Sequence, residues 1–139
     1  MNQWMRDPRA KKGEVEAFEA ERAERRGDFA GARERYHHAG EAFASVAAGV
    51  PATYPNTRSD LAIAAVASFA RAGDLGRAIE FARRMLAESD ARTEYGRGEL
   101  LRAVQEYATL LTPLARPPQA TGRGGAIRDE VRRSFKRAA

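Results

Sequence analysis

The sequence predicts an all-α fold: about five helices packed as antiparallel hairpins, with a further basic helix at the C-terminus. Three observations carry this reading. Ala, Leu, Arg and Glu, all strong helix formers, dominate residues 13–112, whereas Val, Ile and Thr are sparse. No run of four to eight residues alternates apolar and polar as a half-buried strand would. And one frame, Arg-x-Gly-Asp-apolar-x-x-Ala, occurs twice, as RRGDFAGA at 25–32 and RAGDLGRA at 71–78.

The first helix is expected from about Glu14 to Arg26. Asp7 and Pro8 offer an earlier start, with Asp7 as N-cap and Pro8 at the first helical position, but Gly13 weakens that extension. The second helix is expected from Phe29 to about Ala48. Its apolar residues Ala32, Tyr36, Ala39, Phe43, Val46 and Val50 recur at alternating spacings of four and three, which is a helical stripe. Pro51 and Pro55 then impose a loop, because proline disfavours helix in the residue before it. Thr57 and Asp60 have capping-box spacing for a third helix that reaches about Ala72. A fourth helix follows from Leu75 to Glu88. A fifth runs from about Arg97 to Thr112, with Leu100, Val104, Tyr107 and Leu111 on one side, Leu114 just beyond, and Pro113 as its stop.

Beyond that point the composition changes. Residues 115–126, ARPPQATGRGGA, read as a linker rich in Pro and Gly. In residues 127–139 a helix would place Ile127, Val131, Phe135 and Ala138 on one narrow arc. Arg128, Arg132, Arg133, Lys136 and Arg137 fill the next half-turn. The expected organisation is a basic N-terminal arm (1–12), a helical body (13–114), a linker (115–126) and a basic amphipathic tail (127–139).

The net charge of +5 is unevenly spread. Residues 116–139 carry seven basic groups against two acidic ones, and residues 1–12 carry four against one. The body holds 13 arginines and 16 acidic residues. The high isoelectric point therefore belongs to the ends of the chain. There is no Cys, which excludes a disulfide framework and a thiolate metal site. The first residues, MNQWMRDPRAKKG, have no apolar core of a signal peptide, and no stretch approaches the length of a membrane span. A cytoplasmic protein is expected. The preference for Arg over Lys, 21 to 3, points to a GC-rich bacterial genome.

The duplicated frame has a direct physical sense. Gly27 and Gly73 can take the left-handed conformation that closes a helix. Asp28 and Asp74 can cap the next helix through their carboxylates. Phe29 and Leu75 are placed to insert at the corners, and Ala32 and Ala78 are small where two helices cross. A two-helix hairpin thus occurs twice. On these residues, with Ala20, Tyr36, Ala39, Phe69, Phe81 and Leu86, the chain resembles the tetratricopeptide repeat, a helix-turn-helix unit of 34 residues. The resemblance covers about residues 13–90. The early Trp and Leu of that family's first helix are absent, and the two glycines stand 46 apart, so the second helix and its loop are long. The resemblance implies a short α-solenoid with the fifth helix as a cap or truncated third unit. A generic helical bundle with two similar hairpins is the alternative. Units of this kind gain a core only by stacking, so an uncapped end would favour a homo-oligomer.

The resemblance also implies a function. In tetratricopeptide proteins the first helices of successive units line a groove for a peptide or a helix. Carried over, the groove would show Ala17, Glu21, Glu24 and Arg25 from the first unit and Asp60, Ile63, Ala67 and Arg71 from the second. None of these is the Lys or Asn that the family's carboxylate clamp requires, so a mixed peptide or amphipathic helix is the expected guest. The competing reading makes the third helix, with Ala62, Ala64, Ala65, Val66 and Ala67, simply the buried centre. The main expectation is a non-enzymatic adaptor with a protein partner. The alternative is a nucleic-acid-associated protein using its basic termini on phosphates. No aromatic stacking surface accompanies the tail arginines.

Catalytic and metal chemistry have little support. His37 and His38 are adjacent and point about 100° apart on a helix, without the i, i+4 spacing of a helical metal pair. One of them is expected to pack beside Tyr36. GRGG at 122–125 follows no strand, so it lacks the context of a phosphate-binding loop. No catalytic residue, metal ligand or cofactor is expected.

Overall fold

Helix α1 starts on Pro8, six residues before Glu14, and runs to Arg25. Asp7 is its N-cap and accepts a hydrogen bond from the Arg9 backbone N–H at 2.8 Å. Gly13 does not interrupt it. Gly13 is buried, and a Cβ there would meet the Phe43 ring at 2.8 Å, so the residue permits close approach of the next helix. Residues 8–12 of the basic arm are therefore the first turns of α1, preceded by a 3-10 turn, Gln3–Arg6. In this computed structural model residues 3–51, 53–88 and 94–111 are described, apart from the side chains of Met5, Glu94 and Tyr95. The linker, the basic tail, Pro113 and Leu114 lie outside them.

The other helices are α2 (Phe29–Gly49), α3 (Pro55–Arg71), α4 (Leu75–Glu88) and α5 (Glu94–Leu111). No strand occurs among the described residues. All six residues of the α2 stripe are buried. The start of α3 departs from the capping-box expectation. The helix begins at Pro55, two residues before Thr57, and its N-cap Tyr54 makes no side-chain capping bond. Proline at the first helical position brings a preset φ and has no N–H to leave unpaired, which favours the earlier start.

Both hairpin corners have the geometry the repeated frame implies. Gly27 and Gly73 have φ of 80° and 82°. The Asp28 N–H donates to the Ala23 carbonyl at 2.9 Å and the Gly27 N–H to that of Glu24 at 2.9 Å. At the second corner the Asp74 N–H donates to Phe69 at 3.0 Å and the Gly73 N–H to Ala70 at 2.9 Å. These paired bonds are Schellman closures, which satisfy the last carbonyls of each helix. Asp28 and Asp74 then accept from the N–H groups of Gly31 (2.9 Å) and Arg77 (3.0 Å), capping α2 and α4.

The helices pack in sequence, α1 on α2, α2 on α3, α3 on α4 and α4 on α5, and α3 also touches α5. Arg71 of α3 reaches Glu21 of α1 at 3.7 Å, and Arg77 of α4 reaches Glu41 of α2 at 3.4 Å. The result is two rows, α1, α3 and α5 in one and α2 and α4 in the other, stacked as hairpins. The main core joins α2, α3, α4 and α5 through Val46, Leu61, Phe69, Phe81, Met85, Leu100 and Tyr107. A small second cluster, Ala20, Ala23, Ala32 and Tyr36, fills the first hairpin near its corner. No helix among the described residues is long and apolar enough to cross a membrane.

Candidate partner-binding face

Helices α1 and α3 come within side-chain reach of each other at Arg71. Its guanidinium donates from Nη1 to the Tyr36 hydroxyl at 3.1 Å and lies 5.5 Å from the centre of that ring. The same nitrogen is 3.7 Å from the Glu21 carboxylate. One arginine thus ties together the first helices of both hairpins and the aromatic of α2. The tie is unequal in its two halves. Tyr36 is buried, so that hydrogen bond is shielded from water, whereas Glu21 is 47% exposed and its ion pair is weakened by solvent. Burial raises the Tyr36 phenol above its usual pKa, and the Arg71 hydrogen bond works against that rise.

The eight residues expected to line the groove divide into three kinds. Glu21 and Arg71 meet each other. Glu24, Arg25 and Asp60 are exposed and free to form a charged rim. Ala17, Ile63 and Ala67 are half-buried, and the first two pack against the main core. Ala17 and Ile63 therefore serve the fold as well as the surface, which joins the two sequence readings of these helices. Chemically these positions offer half-buried apolar side chains and exposed charges on two helices. The basic tail residues Arg128, Arg132, Arg133, Lys136 and Arg137 lie outside the described residues.

Two features escaped the sequence reading. The first is a clasp at the second corner. His37 packs against Phe69, at 6.0 Å between ring centres, rather than beside Tyr36. Its Nε2 is 3.9 Å from Glu41 and its Nδ1 is 4.0 Å from Asp74. Arg77 lies over Phe69 and Phe81, at 4.9 and 5.9 Å from their centres. Only the His37–Glu41 spacing was visible in sequence, since Asp74 and Arg77 arrive from the other hairpin. The second is an open groove of about 470 Å³ between α4 and α5, lined by Gly76, Ile79, Glu80, Arg83, Ala108 and Leu111. Its one advance signal was Leu111, which continues the apolar stripe of α5 yet is 50% exposed.

Among the described residues, no three His, Asp or Glu side chains stand close enough together to hold a metal ion. The chain matches no protein-family model, and comparisons with curated proteins and with solved structures find no match either.

Proposed function

We propose that the chain is a non-enzymatic protein-interaction domain, a short tetratricopeptide-like stack whose α1/α3 face binds a peptide or helix of a partner protein. The observation that supports this most is the Arg71 tie. It links the first helices of two similar hairpins, on which Ala17, Ile63 and Ala67 are half-buried and Glu24, Arg25 and Asp60 are exposed. An adaptor needs a rigid face of this sort and no reacting groups. Absence of Cys and the arginine-rich composition fit a cytoplasmic protein of a GC-rich bacterium.

Affinity capture from nuclease-treated native lysate tests the reading, using the full chain beside Ile63→Asp and Arg25→Glu variants. A specific protein retained by the parent chain and lost with both variants supports it. Retention that ignores both substitutions rejects it.

The charge distribution supports a second reading, binding to nucleic acid through the basic ends. Lys11 and Lys12 on α1 are exposed, and seven further basic groups follow residue 115. Contacts to phosphate weaken steeply as salt rises, because bound counterions are released on binding. A salt titration of captured material separates the two, since an apolar face responds little.

A further inference from the structure

We infer that the groove between α4 and α5 is the seat of the chain's own C-terminal segment, docked as a helix through Ile127, Val131 and Phe135. The inference stands apart from the α1/α3 face, which lies on other helices.

The groove opens where the chain leaves the stack. Leu111 is both the last residue of α5 and part of the groove wall, and 28 residues follow it. Ile79 and Ala108 form the apolar floor, while Leu111, half exposed, extends it outward. Among the described residues α5 is the last helix of the stack, and the ends of such stacks are closed by a terminal element with a polar outer face. The segment 127–138 has that pattern: an apolar arc of Ile127, Val131, Phe135 and Ala138, with arginines elsewhere.

The lengths agree. Gly76 to Arg83 on α4 spans about 10 Å, and Ile127 to Phe135 in a helix spans about 12 Å. Residues 112–126 make a tether that reaches up to roughly 50 Å, so a seat beside its own starting point is within easy range. Tethering raises the local concentration of the segment to the order of millimolar, which favours it over a second copy.

Position separates this seat from the other exposed apolar stripe. That stripe, Val15 and Phe18, 60% and 59% exposed, lies on α1, at the other end of the packing order from α5.

The chain lacks cysteine, so one nitroxide can be placed on the full-length protein at Gln105→Cys. Gln105 is exposed on α5, one turn before Ala108, and does not line the groove, so the label reports on the seat without filling it. The readout is paramagnetic broadening of the amide resonances of residues 112–139 in the isotope-labelled chain. The docked segment predicts that amides of 127–138 lose most of their intensity. Phe135→Asp, and separately Val131→Asp, should restore it while α1–α3 resonances stay in place. In a mixture of spin-labelled, unenriched chain with unlabelled, enriched chain the loss should vanish. Full intensity in the parent chain overturns the inference. So does broadening that persists in the mixture, which would assign the groove to a second copy. Broadening unchanged by both Asp variants also overturns it, because the apolar arc would then not be the anchor.

Discussion

The two hairpin corners share one hydrogen-bonding frame and differ in almost everything around it. At the first, Phe29 is 60% exposed and the cluster beneath is four residues, three of them alanines. At the second, Leu75 packs against the main core, and Phe69, Phe81 and Ile79 are buried. The sequence expectation that Phe29 and Leu75 both insert is met only by Leu75. The register explains part of the contrast. Counting from the two aspartates, Ala23 corresponds to Phe69 and Tyr36 to Ala82. Near its corner the first hairpin buries one large side chain, Tyr36 on its second helix, whereas the second buries Phe69 on its first helix and Phe81 on its second. Position in the stack explains the rest. The second corner lies against α2, where His37 and Glu41 meet Asp74 and Arg77. The first has no hairpin beyond it among the described residues. Turn chemistry is thus local, whereas burial of the same turn depends on its neighbours.

The largest expected effect is at the buried second corner. Phe69→Ala should cost about 3–5 kcal/mol, the range for truncating a buried aromatic, and should lower the urea midpoint accordingly. Replacing the two glycines isolates the shared part of the comparison. Gly27→Ala and Gly73→Ala should each cost about 1–2 kcal/mol, because both hold positive φ and neither new Cβ meets a neighbour closer than 3.9 Å. A clear difference between the two costs would show that the turns are not equivalent. Tyr36→Phe deletes only the hydroxyl that Arg71 reaches and should cost about 1 kcal/mol in the same assay.

The smallest effects sharpen the contrast in burial. Leu75→Ala should cost about 1 kcal/mol and Phe29→Ala less than about 0.5 kcal/mol. Equal losses would mean that the first corner is covered in solution.

Alkaline pH gives a separate reading of the core. Burial raises the phenols of Tyr36 and Tyr107, so the folded state holds these protons more tightly than the unfolded one. Stability is then full below the ordinary tyrosine pKa near 10.0 and falls as pH rises through the folded values. Thermal melts of the parent chain should drop above about pH 10, and Tyr107→Phe should flatten that drop.

What was legible in the sequence follows from the range of each interaction. The α2 stripe, the two glycines and the two capping aspartates act within a few residues, and the helices they imply are present. The early start of α1 was half visible. Asp7 and Pro8 announced it, but the value of Gly13 depends on Phe43, 30 residues away. The α3 start differs from the capping-box spacing of Thr57 and Asp60 because Pro55, with its preset φ, opens the helix two residues earlier. The candidate face was legible as a set of positions on two helices. Its central feature, Arg71 between Glu21 and Tyr36, joins residues 15 to 50 apart in sequence, and no local pattern specifies that. The α4/α5 groove exists only once two helices pack and leave Leu111 uncovered.

The proposed role of the α1/α3 face is tested most directly by photo-crosslinking in the native cell. A photoreactive residue replaces Ala67 on that face, and in a second chain replaces Ala30, which is exposed on the first turn of α2. The account predicts a discrete protein adduct from Ala67 and none from Ala30. Equal adducts from both positions, or adducts only to nucleic acid, would contradict it.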